Sequence, residues 1–247
     1  MVEDREAVHV TDRDERLVET AIVNGFGGAT LAFHGEFVDL TVEPPRVGTV
    51  SGRSPLFYFG GLSPAARECA AAGADVFLMW PDTTDKMLAV KDDMDARAAA
   101  KGRSLRYGWR SHVIVRETEE EARAAASRLL SKLDVETGEQ IRKRSLDSAS
   151  AGVANQAALR EAADEDGYVE RHLWTGVGRA RSGAGAAIVG DPDHCVTEIL
   201  RFIAAYGITD IVTMAVPLGL RTAQMNASLE RLFTDVAPRV KRALGEA

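Results

Sequence analysis

The feature that most constrains this chain is a ten-residue run, Tyr107-Gly108-Trp109-Arg110-Ser111-His112-Val113-Ile114-Val115-Arg116. It opens with aromatic and basic residues and ends in β-branched ones. A buried parallel strand that carries polar groups into a site reads this way. Two shorter runs precede it, Leu56 to Gly61 and Asp75 to Trp80, and Ile208 to Val216 follows it. After each comes an alanine-rich, charged segment of helical period. Strand and helix in alternation imply a parallel sheet covered by helices.

Local signals fix the element ends. Ser63-Pro64 predicts an N-cap and first helical residue after Gly60-Gly61, with the helix running from about Ala65 to Ala72. Thr84 to Lys101 reads as a long helix stopped by Gly102, and Thr118 to Lys132 as a helix opened by a Thr118/Glu121 capping box. Asp191-Pro192 opens a helix that Gly207 ends, and a last helix covers about Leu220 to Ala243. Towards the N-terminus, residues 1 to 11 read as a tail, Thr11 to Asn24 as a helix, Thr30 to Val42 as two short strands around His34-Gly35, and residues 48 to 54 as linker.

The segment Leu133 to Gly190 breaks the alternation. It is polar, and its stretch Gly176 to Gly185 is glycine- and arginine-rich with few apolar anchors. A long segment of this kind is expected to be mobile and to act as a lid over a site. Its Gly183-x-Gly185 lacks a full dinucleotide fingerprint after a strand.

Composition excludes several classes. A net charge of −7 with both signs interspersed gives no basic face for nucleic acid. No apolar run approaches the ~18 residues that span a membrane. The charged start, Met1 to Glu6, has no apolar core of a signal peptide. Cys69 and Cys195 lie far apart in helical patterns and read as reduced thiols, so a cytoplasmic location is expected.

Four motifs carry a resemblance: Phe57-Tyr58-Phe59-Gly60-Gly61-x-Ser63; Phe77-Leu78-x-Trp80; Arg110-x-His112-Val113-Ile114-Val115-Arg116-Glu117-Thr118; and Gly176-Val177-Gly178 through Arg181-x-Gly183-Ala184-Gly185. Together they resemble the bacterial luciferase-like flavin monooxygenases, and within these the alkanesulfonate monooxygenases, over roughly Asp12 to Val236. The resemblance implies a TIM (β/α)8 barrel. It also implies reduced FMN delivered by a separate flavin reductase, molecular oxygen as co-substrate, and cleavage of a sulfonate to sulfite and an aldehyde. Gly60, Gly61, Leu62 and Ser63 are thereby implied to hold the flavin phosphate. Trp80, Arg110, His112 and Arg181 are implied to be the catalytic set, with Trp80 facing the pocket and Arg110 and His112 near flavin and sulfonate. Arg181 would close from the lid.

Each assignment has a plainer alternative. A glycine pair before a helix is commonly a tight turn. Arg110 reads equally as an ion-pair partner, His112 as a hydrogen-bonded core histidine, Trp80 as core, and Arg181 as a solvated loop charge. An arginine does suit a permanent anion such as a sulfonate, because its planar fork never deprotonates.

The sequence also departs from the family pattern. An eight-stranded barrel takes ~250 residues, yet only four barrel-type strands are legible. The expectation is therefore an α/β fold forming a partial barrel of about four parallel strands: a single luciferase-like domain, 1–247, matching the family's C-terminal half. Residues 1–54 supply a helix, hairpin and linker, and 133–190 a lid region. Val216 stands where the family has tyrosine. Four parallel strands leave two open edges, which implies pairing with a second copy or with a complementary half-barrel chain. Two rival readings stand beside the FMN-dependent one: a non-catalytic remnant or assembly module, and a deazaflavin-dependent oxidoreductase.

Overall fold

The computed structural model describes residues 31–34, 39–43, 49–51, 55–131, 140, 151–170, 173–180, 185–214 and 222–246. The expected helix Thr11–Asn24, Arg181 with its neighbours Gly183 and Ala184, and Val216 lie outside the described residues.

A two-stranded antiparallel sheet pairs β1 (Leu31–His34) with β2 (Asp39–Val42). The main sheet is built on β5 (Arg106–Val115), the run that dominates the sequence. Along one edge of β5, β4 (Val76–Met79) pairs in parallel with Arg106–Trp109. Beyond β4 lies β3 (Tyr58–Phe59), also parallel. Along the opposite edge runs β9 (Ile208–Met214), parallel to Tyr107–His112. Where β4 ends, β8 (Ala187–Gly190) continues along its edge, parallel to His112–Val115. The hairpin β6 (Tyr168–Val169) and β7 (Leu173–Trp174) then pairs antiparallel to β8.

Among the described residues the sheet therefore has seven strands, where sequence reading counts four. The additional strands all come from the segment expected to be a polar lid. Its short apolar steps, Tyr168-Val169, Leu173-Trp174 and Ala186 to Val189, are buried. Two to four apolar residues at a time are too few to show a strand period, yet enough to close a sheet layer.

Helices follow the strands: α1 (Pro64–Gly73), α2 (Thr84–Ala100), α3 (Glu119–Leu130), α4 (Ala151–Glu161), the single turn α5 (Val177–Ala180), α6 (Pro192–Tyr206), α7 (Thr222–Arg231) and α8 (Ala237–Ala243). Their starts are chemically specified. The Ser63 hydroxyl accepts the Ala66 N–H at 3.2 Å, Thr118 accepts that of Glu121 at 3.2 Å, and Asp191 accepts that of His194 at 2.8 Å. Gly207 ends α6 in the left-handed region, φ 62°. α2 has no local side-chain cap. The carboxylate of Glu170, on the β6–β7 turn, takes the Thr84 N–H at 3.0 Å and its hydroxyl at 2.7 Å. Glu170 holds a positive φ of 53° to do so.

The expected single C-terminal helix is interrupted by a π turn, Leu232–Val236. Pro238 lies just beyond. It has no N–H to return to the preceding turn, and the wider turn accommodates the missing bond.

Pleating separates the sheet into two faces. Phe77, Met79, Tyr107, Trp109, Val113 and Val115 join Ala70, Ala71, Met87, Met94, Ile199, Phe202 and Tyr206 in the main core beneath the helices. Trp109 stacks on Phe202 with ring centroids 4.5 Å apart. The alternate residues, among them Tyr58, Leu78, Trp80, Arg106, Arg110 and Asp210, share the opposite, concave face by register. β3 lies at an edge of the sheet, where Leu56, Tyr58 and Phe59 are 53%, 45% and 36% exposed. Among the described residues, no helix is long and apolar enough to cross a membrane.

Candidate active site

A cavity of about 830 Å³ opens at the C-terminal ends of β3 and β4, walled also by α1, α2 and the start of α4. In parallel α/β sheets this is the end at which ligands bind. The turn after β3 supplies Gly60, Gly61, Leu62 and Ser63, β4 supplies Trp80, and β5 supplies Arg110. Six of the eight residues singled out in the sequence therefore meet in one cavity.

The glycine turn is sterically tight. A Cβ on Gly60 would lie 2.8 Å from the Leu78 carbonyl oxygen, and one on Gly61 would lie 2.6 Å from the Ala66 Cβ. Both glycines let the chain pass between β4 and α1. The same passage brings the turn and the start of α1, with Ser63, Ala66 and Arg67, to the cavity wall. Ser63 uses its oxygen to cap α1, which leaves its hydroxyl proton to donate. The close contacts account for the glycine pair as a tight turn. A flavin phosphate fits this donor set: backbone N–H groups, one hydroxyl, and the nearby Arg67 guanidinium, whose Nε is buried without a protein partner.

Trp80 and Arg110 occupy adjacent positions one step beyond the Met79–Trp109 pair of the β4–β5 ladder. Both are partly buried. His112 lies on the same face, two residues further along β5, but does not line the cavity. It is only 4% exposed and is flanked by Ala187 of β8 and Met214 of β9. Its burial follows from β8, a strand absent from the sequence reading. Among the described residues the cavity lining thus includes Arg110 and not His112.

The cavity contains residues that sequence reasoning missed. Asp82 is 5% exposed; its carboxylate accepts the Thr83 N–H at 2.7 Å and lies 3.6 Å from Lys86 Nζ. The Asn155 side-chain amide donates to the other carboxylate oxygen. Gln156 donates to the Pro81 carbonyl at 3.4 Å. Asn155 and Gln156 thereby dock α4 against the turn after β4. Arg67, on α1, is held by Asp93 at 2.9 Å. The cavity lining thus carries three cations, Arg67, Lys86 and Arg110, and one carboxylate, Asp82. Such a wall favours anionic ligands. Among the described residues no His, Cys, Asp and Glu cluster is placed to hold a metal ion.

Away from the cavity, the concave face is crossed by a second polar group. The Asp210 carboxylate accepts from Tyr58 at 2.7 Å and from Arg106 at 2.7 Å on both oxygens. Burial pushes the Asp210 carboxyl up, but hydrogen bonds from Thr209 and Tyr58 and the Arg106 charge outweigh it and hold it below the usual carboxylate range.

Comparison with known proteins places these features. A family model described as luciferase-like monooxygenase matches residues 2–210. A sulfoquinovose monooxygenase of Novosphingobium aromaticivorans is 60% identical over 190 residues, 77% of this chain and 52% of that protein. Another, from Agrobacterium fabrum, is 51% identical over 164 residues, 66% of this chain and 42% of that protein. The chain thus spans about half the length of the curated relatives it matches. Among solved structures, a long-chain alkane monooxygenase superposes with a TM-score of 0.60 at 15% identity, covering 87% of this chain and 46% of that one. The oxygenating constituent of 3,6-diketocamphane monooxygenase from Pseudomonas putida, solved with FMN, gives 0.56 at 14% identity, covering 91% and 61%. These structural likenesses show a shared fold: an α/β chain whose sheet curls as part of a barrel.

Proposed function

Because this chain belongs to the luciferase-like monooxygenase family, we propose that its cavity is the flavin-phosphate and sulfonate side of a reduced-FMN-dependent monooxygenase that cleaves the C–S bond of an organosulfonate. The observation that carries the reading is the convergence of the Gly60–Ser63 turn, Trp80 and Arg110 on one cation-rich cavity. Two relatives sharing 60% and 51% of aligned residues are named for a sulfonated sugar. That favours a sulfosugar over the alkanesulfonate that the sequence motifs suggest.

The residues divide the work by charge and geometry. The turn and the start of α1 hold the phosphate, with Ser63 donating its hydroxyl and Arg67 adding a guanidinium. Arg110 sets a fixed positive charge on the strand face, where a sulfonate is gripped without proton exchange. Trp80 covers the adjoining apolar surface and excludes water. When bound, reduced FMN supplies the electrons for oxygen insertion, a separate flavin reductase restores it, and the products are sulfite and an aldehyde. Arg181 remains in this reading the charge that closes the site. The exposed edges at Tyr58–Phe59 and Val212 are where further strands of the ring pair, whether from a longer polypeptide, a second copy or a complementary half-barrel chain. A cytoplasmic setting suits both a reduced flavin and the reduced thiols of Cys69 and Cys195.

Titration of the chain with FMN and with riboflavin tests the phosphate turn. FMN is expected to bind roughly tenfold tighter or better, and to lose that advantage in Ser63→Ala. Equal binding of the two flavins refutes the turn's role. With reductase-supplied flavin, absence of sulfite from every organosulfonate refutes the catalytic reading.

A further inference from the structure

A cavity built for two anions has no electrostatic use for a buried carboxylate. Asp82 is nevertheless in its lining, 5% exposed. Its charge partner is Lys86, 3.6 Å away, and not Arg67, which is engaged by Asp93; its hydrogen bonds come from Thr83 and Asn155. Negative charge facing an anionic ligand costs binding energy unless the ligand brings donors to it. A phosphate and a sulfonate bring none at neutral pH, and neither does an alkyl chain. A hydroxyl group does.

The three side chains are oriented for hydroxyls. Asn155 spends an N–H on Asp82, which turns its amide oxygen away from the carboxylate as an acceptor. Lys86, 47% exposed on α2, brings N–H donors to the same spot, 3.6 Å from the carboxylate. Donors and acceptors thus alternate across a short stretch of wall, a pattern that matches neighbouring hydroxyls, each of which donates once and accepts. Trp80 precedes Asp82 by two residues and lines the same cavity, offering an apolar surface beside the polar strip. Docking of α4 secures the arrangement, because Gln156 holds the Pro81 carbonyl while Asn155 holds Asp82.

Resting on the sulfonate reading above, we propose that Asp82, Asn155 and Lys86 form a hydroxyl-recognising wall that selects a polyhydroxylated sulfonate over an alkanesulfonate. Arg110 grips the sulfonate common to both classes. The wall discriminates by the rest of the molecule, since hydroxyls can bond the remaining lone pairs of Asp82 and the Asn155 amide oxygen and an alkyl chain cannot.

The test is a heteronuclear NMR titration of the full chain with sulfoquinovose and with hexanesulfonate, following the Asn155 side-chain amide and the Trp80 indole. Both ligands are expected to shift Trp80, and only the sugar to shift Asn155. Asp82→Asn and Asn155→Ala are each expected to weaken sulfoquinovose by roughly tenfold, the size of one hydrogen bond to a charged group, and far more than they weaken hexanesulfonate. A superimposable backbone spectrum establishes that each variant is folded. Equal weakening of both ligands, or no weakening of either, overturns the wall and leaves the sulfonate reading standing. A wild-type chain that binds neither sulfonate overturns both.

Discussion

Gly60 joins fold to site, and its substitution makes a prediction with a sign. In Gly60→Ala the new methyl carbon would sit 2.8 Å from the Leu78 carbonyl oxygen. Relief requires a displacement of about 0.5 Å to reach ordinary contact. Leu78 cannot supply it by rotating a side chain, because the obstructing atom is backbone in β4, inside the sheet. β3 must therefore move. It is held to β4 by a two-residue register, Tyr58↔Val76 and Phe59↔Phe77, and by the Phe57 N–H to Asp75 bond of 2.8 Å. Overpacking of this kind costs ~1–3 kcal/mol. Gly73→Ala, at the end of α1, is the internal control: nothing lies within 4 Å of its added Cβ. Replacing a helical glycine there is expected to stabilise by ~0.5–1 kcal/mol. Urea denaturation followed by far-ultraviolet circular dichroism and tryptophan fluorescence measures both. The two variants should move the midpoint in opposite directions, and Gly60→Ala should also weaken FMN. A Gly60→Ala protein as stable as wild type would refute the close approach of the turn to β4, and with it the argument that this turn is rigidly aimed.

Two further outcomes follow from the ionisable groups. Hydrogen bonds from Lys101 and Arg97 hold the Glu68 carboxyl below its usual range, and those from Arg97 and Arg67 do the same for Asp93, in a network joining α1 to α2. A depressed folded-state value means that this stabilisation is present above the unfolded value of about 4 and is lost as pH falls through the folded one. Thermal melts should therefore show stability falling below about pH 4, less steeply in Asp93→Asn, and a flat profile there in both proteins would refute the network. Burial pushes the Cys195 thiol up to about 12, with Asp191 and Glu198 adding to the effect. Iodoacetamide at pH 8 should modify the partly exposed Cys69 in the folded chain and Cys195 only after denaturation, and early labelling of Cys195 would contradict its place in the core.

What was legible in the sequence is what is local. Ser63, Thr118, Asp191 and Gly207 fix helix ends with atoms at most four residues away, so their roles survive intact. β5 was legible because ten residues show their pattern without help. β6 and β7 were not, because a two-residue strand has no period, and they exist only because β8 offers an edge. The missing site residues fail for a related reason. Asp82 and Asn155 lie 73 positions apart, and neither stands in a motif; only the docking of α4 on the turn after β4 joins them. Glu170 caps a helix 86 positions before it, which no local signature announces.

The two polar groups of the concave face divide it along the strand direction, and that division explains where the site lies. Near the N-terminal ends, Tyr58, Arg106 and Asp210 satisfy one another across β3, β5 and β9. Their charges are consumed internally, so this end has little left for a ligand. Two register steps further along β5 from Arg106, past Gly108, stands Arg110. From there to the strand ends, Arg110 and Trp80 line the cavity together with the turn after β3. The same pleat that sends Trp109 into the core beneath Phe202 sends Arg110 to the opposite side. A one-residue slip of β5 would bury the guanidinium among the core aromatics and leave the cavity without its strand-borne cation. The register of β5 between β4 and β9 is thus the structural condition on which the strand-borne charge of Arg110 in this cavity depends.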